Sequence, residues 1–63
     1  MRLMIRKFRR EQELSIEELA AKAKVSPNTI YRIEHGANIV VRSNTLLQLA
    51  KALGVTVADL ISE

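Results

Sequence analysis

The chain has no cysteine, which excludes a disulfide framework and any thiolate metal site. Its single histidine, His35, cannot build a metal centre alone. Glycine occurs twice and proline once, too few for a turn-rich β-sandwich or a Pro/Gly-rich disordered segment. Phe8 and Tyr31 are the only aromatics. No apolar run approaches the roughly 18–20 residues of a membrane span. None follows the basic Met1–Arg10 stretch either, so no secretory signal is expected. A cytoplasmic location without a membrane partner is the expectation. There is no Gly-rich phosphate loop and no Ser/His/Asp set spaced for catalysis. No enzymatic activity, metal or cofactor is expected.

What the chain does contain is aliphatic. Hydrophobic residues make up 48% of its 63 positions, mostly Leu, Ile, Val and Ala. That suits a small helical bundle, a single domain over 1–63 near the lower size limit for independent folding. The net charge of +3 leans toward a polyanionic partner, weakly on its own.

Periodicity and caps divide the chain into five predicted helices. The first runs from Arg2 to Glu13, with Leu3, Ile5 and Phe8 near one face and Arg6, Lys7 and Arg10 on the other. The basic side of this helix is either a solubilising face or part of an anion-binding surface. Ser15 followed by Glu18 three residues on is a capping box, and it opens a second helix ending near Ala23 or Lys24. Ile16, Leu19, Ala20 and Ala23 mark its inward face. Ser26 then caps a third helix, with Pro27 in the first turn and Gly36 as the stop. Ala37–Arg42 reads as a loop carrying the apolar run Ile39-Val40-Val41. A fourth helix begins at Arg42 or Ser43 and ends at Leu53 before Gly54; Leu46, Leu49, Ala50 and Leu53 repeat at i, i+3, i+4, i+7. Thr56 and Asp59 open a fifth, which includes Leu60 and Ile61.

The informative stretch is Leu14–Gly36, two short helices joined by about three residues. So short a turn forces a large angle between them. Ala20 lies where the helices cross, and Val25, Ile30 and Ile33 plug the later helix onto the earlier one. The pattern Ile5-Arg6, Phe8-Arg9, Leu14-Ser15, Glu18-Leu19-Ala20, Val25-Ser26, Thr29-Ile30, Arg32-Ile33-Glu34 and Gly36 resembles the lambdoid phage repressor and Cro family of XRE-like helix-turn-helix regulators. The resemblance continues through Leu46-Leu47, Leu49-Ala50, Ala52-Leu53-Gly54-Val55 and Asp59-Leu60, nearly the whole chain.

The resemblance implies an all-α, five-helix, lambda-repressor-like domain with its helix-turn-helix at helices 2 and 3. It implies a transcriptional regulator, more often a repressor, that binds double-stranded DNA as a homodimer and enters the major groove with helix 3. Carried over by position, Pro27, Asn28, Thr29 and Arg32 face the bases. Asn suits adenine and Arg suits guanine. Ser26, Tyr31, Asn38 and Arg42 fall where phosphate contacts are made. Each has a structural alternative: Pro27, Asn28 and Thr29 are good first-turn residues, Tyr31 suits a core rim, and Arg32 suits a solvated surface. The family also pairs the residues matching Arg9 and Glu34 in a partly buried ion pair.

Several positions depart from the family's habit. Lys24 stands where the family usually has glycine, often at positive φ. A side chain held there is mildly strained, which leaves the turn geometry open. Glu13 similarly replaces the usual glycine after the first helix. Ile16 replaces a common phosphate-contacting Gln. The Ala37–Arg42 loop is about one residue longer and more apolar. Ile39, Val40 and Val41 either pack as satellite core or join Val57, Leu60 and Ile61 in a dimer interface. The competing functional reading is a protein-interaction module on the same scaffold, an adaptor or an antitoxin with a toxin or regulator as partner. DNA binding weakens steeply with salt and an apolar protein contact does not.

Overall fold

The computed structural model describes residues 2–36 and 41–62. Among the described residues there are five helices: α1 (Ile5–Glu11), α2 (Ile16–Ala23), α3 (Pro27–His35), α4 (Ser43–Leu53) and α5 (Val57–Leu60). α1 packs on α3 and α4, α2 packs on α3 and α4, and α5 packs on α4. The five largest fully buried side chains are Ile5, Leu19, Ile30, Leu49 and Leu60, one from each helix. The centre is therefore a single aliphatic cluster to which every helix contributes. Ala20, Ala23, Ala50 and Ala52 are also buried; their small side chains let α2 and α4 approach.

The helix starts follow the caps. Ser15 accepts from the Glu18 N–H while the Glu18 carboxylate accepts from the Ser15 N–H, at 3.0 and 2.9 Å. Thr56 and Asp59 repeat the arrangement at α5. Ser26 accepts from the Asn28 N–H, with Pro27 in the first turn of α3. At α4 the N-cap is Arg42, and no side chain caps the free N–H groups there.

Three helix ends share one device. After α1, the Glu13 N–H donates to Arg10 O and the Leu14 N–H to Arg9 O; after α2, Lys24 donates to Ala21 O and Val25 to Ala20 O; after α4, Gly54 donates to Lys51 O and Val55 to Ala50 O. This is the Schellman pattern, which needs a left-handed residue at its bend. Glu13, Lys24 and Gly54 supply it at φ 56°, 59° and 71°. The apolar residues that follow, Leu14, Val25 and Val55, all pack against the core. Gly36 departs from the expectation of a left-handed stop: it ends α3 at φ −87° and ψ 144°, an extended conformation open to any residue.

The first helix is shorter than its periodicity predicts. Arg2–Leu3 is extended and pairs antiparallel with Ile61–Ser62, in the register Arg2↔Ser62 and Leu3↔Ile61. The Met4 N–H extends the pairing to Leu60 O at 2.7 Å. A two-residue strand leaves no periodic signal, and its partner lies at the other end of the chain. The fifth helix stops at Leu60 for the same reason, since Ile61 belongs to the strand pair. The fold class remains that of an all-α five-helix domain, with its two ends tied together.

Candidate functional site

α3 has two unlike sides. Ile30 and Ile33 are buried and hold the helix to α1 and α2. Asn28, Tyr31, Arg32 and His35 are exposed, at the i, i+3, i+4, i+7 spacing of one continuous helical face. Pro27 and Ser26 are exposed at its N-terminal end, and Thr29 is half-buried. The Ser26 hydroxyl accepts from Asn28 and still has its own hydrogen to donate.

Glu34, the only acid in α3, does not reach that face. Its side chain is 1% exposed and forms a two-pronged ion pair with Arg9, at 2.7 Å to Nε and 2.9 Å to Nη2. The Arg9 Nη1 donates at 2.8 Å to the Leu14 carbonyl, in the link between α1 and α2. The hydrogen bond to Glu34 raises the Arg9 guanidinium above its ordinary pKa, against the opposing effect of burial. Arg9 therefore braces α1, the α1–α2 link and α3 together. The outward stripe of α3 is left with amide, phenol, guanidinium and imidazole groups and no negative charge.

The outer end of that stripe carries an aromatic pair. The Tyr31 and His35 rings stack with centroids 4.3 Å apart and planes at 23°. His35 Nδ1 lies 3.0 Å from the Tyr31 carbonyl, which can only accept, so Nδ1 carries the hydrogen. His35 thus limits the freedom of the Tyr31 ring, which is 53% exposed. The Tyr-x-x-x-His spacing, which puts both rings on one helical face, is the sequence signal of this pair.

The remaining sequence candidates divide. Arg42 is exposed at the uncapped start of α4. Asn38, Ile39 and Val40 lie outside the described residues. Val41 and Val57 are half-buried against the core, and Ile61 is 39% exposed. Leu60 is a correction: it is fully buried in this chain's own core, because α5 must close the bundle, and has no surface to offer a second copy. Lys24 lines a groove with Lys22, Gln48 and Lys51.

Two short helices crossing at a three-residue link, the second with a buried apolar side and an outward polar stripe, define a helix-turn-helix DNA-binding domain. The family model described as helix-turn-helix matches residues 5–60, and the chain belongs to that family, in its XRE-like branch. It is a DNA-binding transcription regulator of that type, with double-stranded DNA as the family's partner. No curated protein and no solved structure matches it at a significant level. Among the described residues, no helix is long and apolar enough to cross a membrane.

Proposed function

We propose that this regulator is a cytoplasmic repressor that reads its operator as a homodimer, each copy placing the N-terminal half of α3 in the major groove. The carrying observation is the outward stripe of α3, which holds no acidic side chain, the helix's one acid, Glu34, being paired with Arg9 away from it. In this reading Asn28 pairs with adenine, and Arg32 takes the O6 and N7 acceptors of guanine. Pro27 and Thr29 supply apolar contact to the groove wall or a thymine methyl. The Ser26 hydroxyl, the hydroxyl of Tyr31, whose ring stacks on His35, and Arg42 with the uncapped N–H groups of α4 hold the phosphates. Asn38, shortly before Arg42 in the sequence, serves as a further phosphate contact in this reading. The second copy docks through the Val41, Val57 and Ile61 neighbourhood, together with Ile39 and Val40.

The test is selection from random duplex DNA, then salt-titrated fluorescence anisotropy of the selected duplex, with Arg32→Ala alongside. The expected result is a palindrome, a steep fall of affinity with salt, and a loss of roughly 1–3 kcal/mol at one base position in the variant. No enrichment, with weak binding indifferent to Arg32, would sink the reading. Sedimentation of the protein with and without its operator checks the dimer.

Leu47 and Ile61, 45% and 39% exposed, support a second reading. Large apolar side chains outside α3 suit a protein partner, as an antitoxin or adaptor would have. Binding to such a partner would persist at salt concentrations that release DNA.

A further inference from the structure

A second basic site lies off the recognition helix. α2 and α4 pack with their small residues Ala23 and Ala52 at the floor of an open groove of about 430 Å³, lined otherwise by Lys22, Lys24, Gln48 and Lys51. No residue of α3 lines it. All three lysines are exposed, and among the described residues none makes an ion pair. Glu18 stands one turn before Lys22, the arrangement that pairs oppositely charged side chains on a helix. Its carboxylate instead accepts from the Ser15 N–H in the capping box. The three ammonium groups therefore share one concavity with none of them in an ion pair among the described residues. Lys24 also holds a left-handed bend at φ 59°, where glycine would be unstrained. Strain kept at a residue that lines a groove is a reason to ask what that side chain does.

We infer that this groove binds a phosphate-bearing anion, gripped by the Lys22, Lys24 and Lys51 ammonium groups with the Gln48 amide as an oriented donor. Three point charges around one concavity match an anion with several phosphate oxygens better than a monovalent one. Such an anion bridges α2 to α4 and touches the turn that sets α3. Occupancy thus stabilises the fold and couples to the helix-turn-helix. The anion is either a free polyphosphate compound or a stretch of DNA backbone beyond the helix 3 footprint.

The experiment is a backbone-amide NMR titration of the intact protein with inorganic tripolyphosphate, repeated on Lys22→Gln/Lys51→Gln. Both changes are on exposed side chains, and a melting curve verifies that the variant folds. Saturable shifts confined to residues 22–24 and 48–52, weakened about tenfold in the variant, are expected. Shifts spread evenly over Arg6, Lys7 and Arg10, or groove shifts the variant does not weaken, overturn the inference. The tripolyphosphate arm needs no DNA, so it stands or falls apart from the operator reading. A parallel salt titration on duplex DNA assigns the source. Unchanged DNA affinity in the variant marks a free anion. A salt slope reduced by about 2 marks the backbone.

Discussion

At the scale of the residue, the domain depends on where two charged side chains point. Arg9 and Glu34 sit 25 positions apart, and their pairing joins α1 to α3. Glu34→Ala leaves the part-buried Arg9 guanidinium without its partner and is expected to lose about 1–3 kcal/mol in urea unfolding. Arg32 is exposed and makes no ion pair among the described residues. Arg32→Ala should leave the unfolding curve within about 0.5 kcal/mol of the parent while lowering DNA selectivity. The two residues lie two positions apart in one helix, so this contrast separates a structural role from a contact role. A melting temperature unmoved by Glu34→Ala would show that the ion pair contributes nothing.

At the scale of the element, helix ends decide. Gly54 is free of close neighbours at its Cβ position, so only its φ of 71° opposes a side chain. Gly54→Ala should cost about 1–2 kcal/mol, read by thermal unfolding. Lys24→Gly should move the other way, gaining somewhat under 1 kcal/mol, because glycine also loosens the unfolded chain. A lower melting point for Lys24→Gly would refute strain at that bend. The capping boxes add a pH dependence. Glu18 and Asp59 titrate below their ordinary values because the backbone N–H groups of Ser15 and Thr56, and then their hydroxyls, stabilise the ionised carboxylates. A depressed folded pKa gives stability that is complete above the unfolded value. It is lost as pH falls through the folded one. Thermal stability should thus decline on acidification below about pH 4. The decline should be shallower in Glu18→Gln/Asp59→Asn, which has nothing to protonate at either box.

At the scale of the whole molecule, 63 residues support one core with little reserve. By size alone the folded state is worth about 3–9 kcal/mol. Each helix inserts one fully buried aliphatic side chain into the same cluster, so removing any one touches all five elements. Leu60→Ala should cost about 2–5 kcal/mol, a large part of that total. Circular dichroism should find the variant substantially unfolded alone and refolded on addition of the selected operator, since a ligand of the native state shifts the balance. Full stability in Leu60→Ala would show that α5 is not needed to close the bundle.

Local sequence was sufficient for the starts of α2, α3 and α5 and for the inward faces, and the left-handed bends that it left open also close locally. Ser15, Ser26 and Thr56 bond within two or three residues of themselves, the bends at Glu13 and Lys24 close through hydrogen bonds spanning five, and apolar spacing repeats within a turn. The family resemblance supplied the fold, the helix proposed to meet DNA and the Arg9–Glu34 pair. Contacts between distant positions were decided only by the tertiary structure. Arg2–Leu3 is a strand because Ile61–Ser62 comes to lie beside it. Leu60 is core because α5 folds back onto the bundle. Lys22, Lys24 and Lys51 form one groove because α2 packs on α4. Periodicity reports which side of a helix avoids water; it carries no information about which other element will cover that side, and those three outcomes depend on that choice.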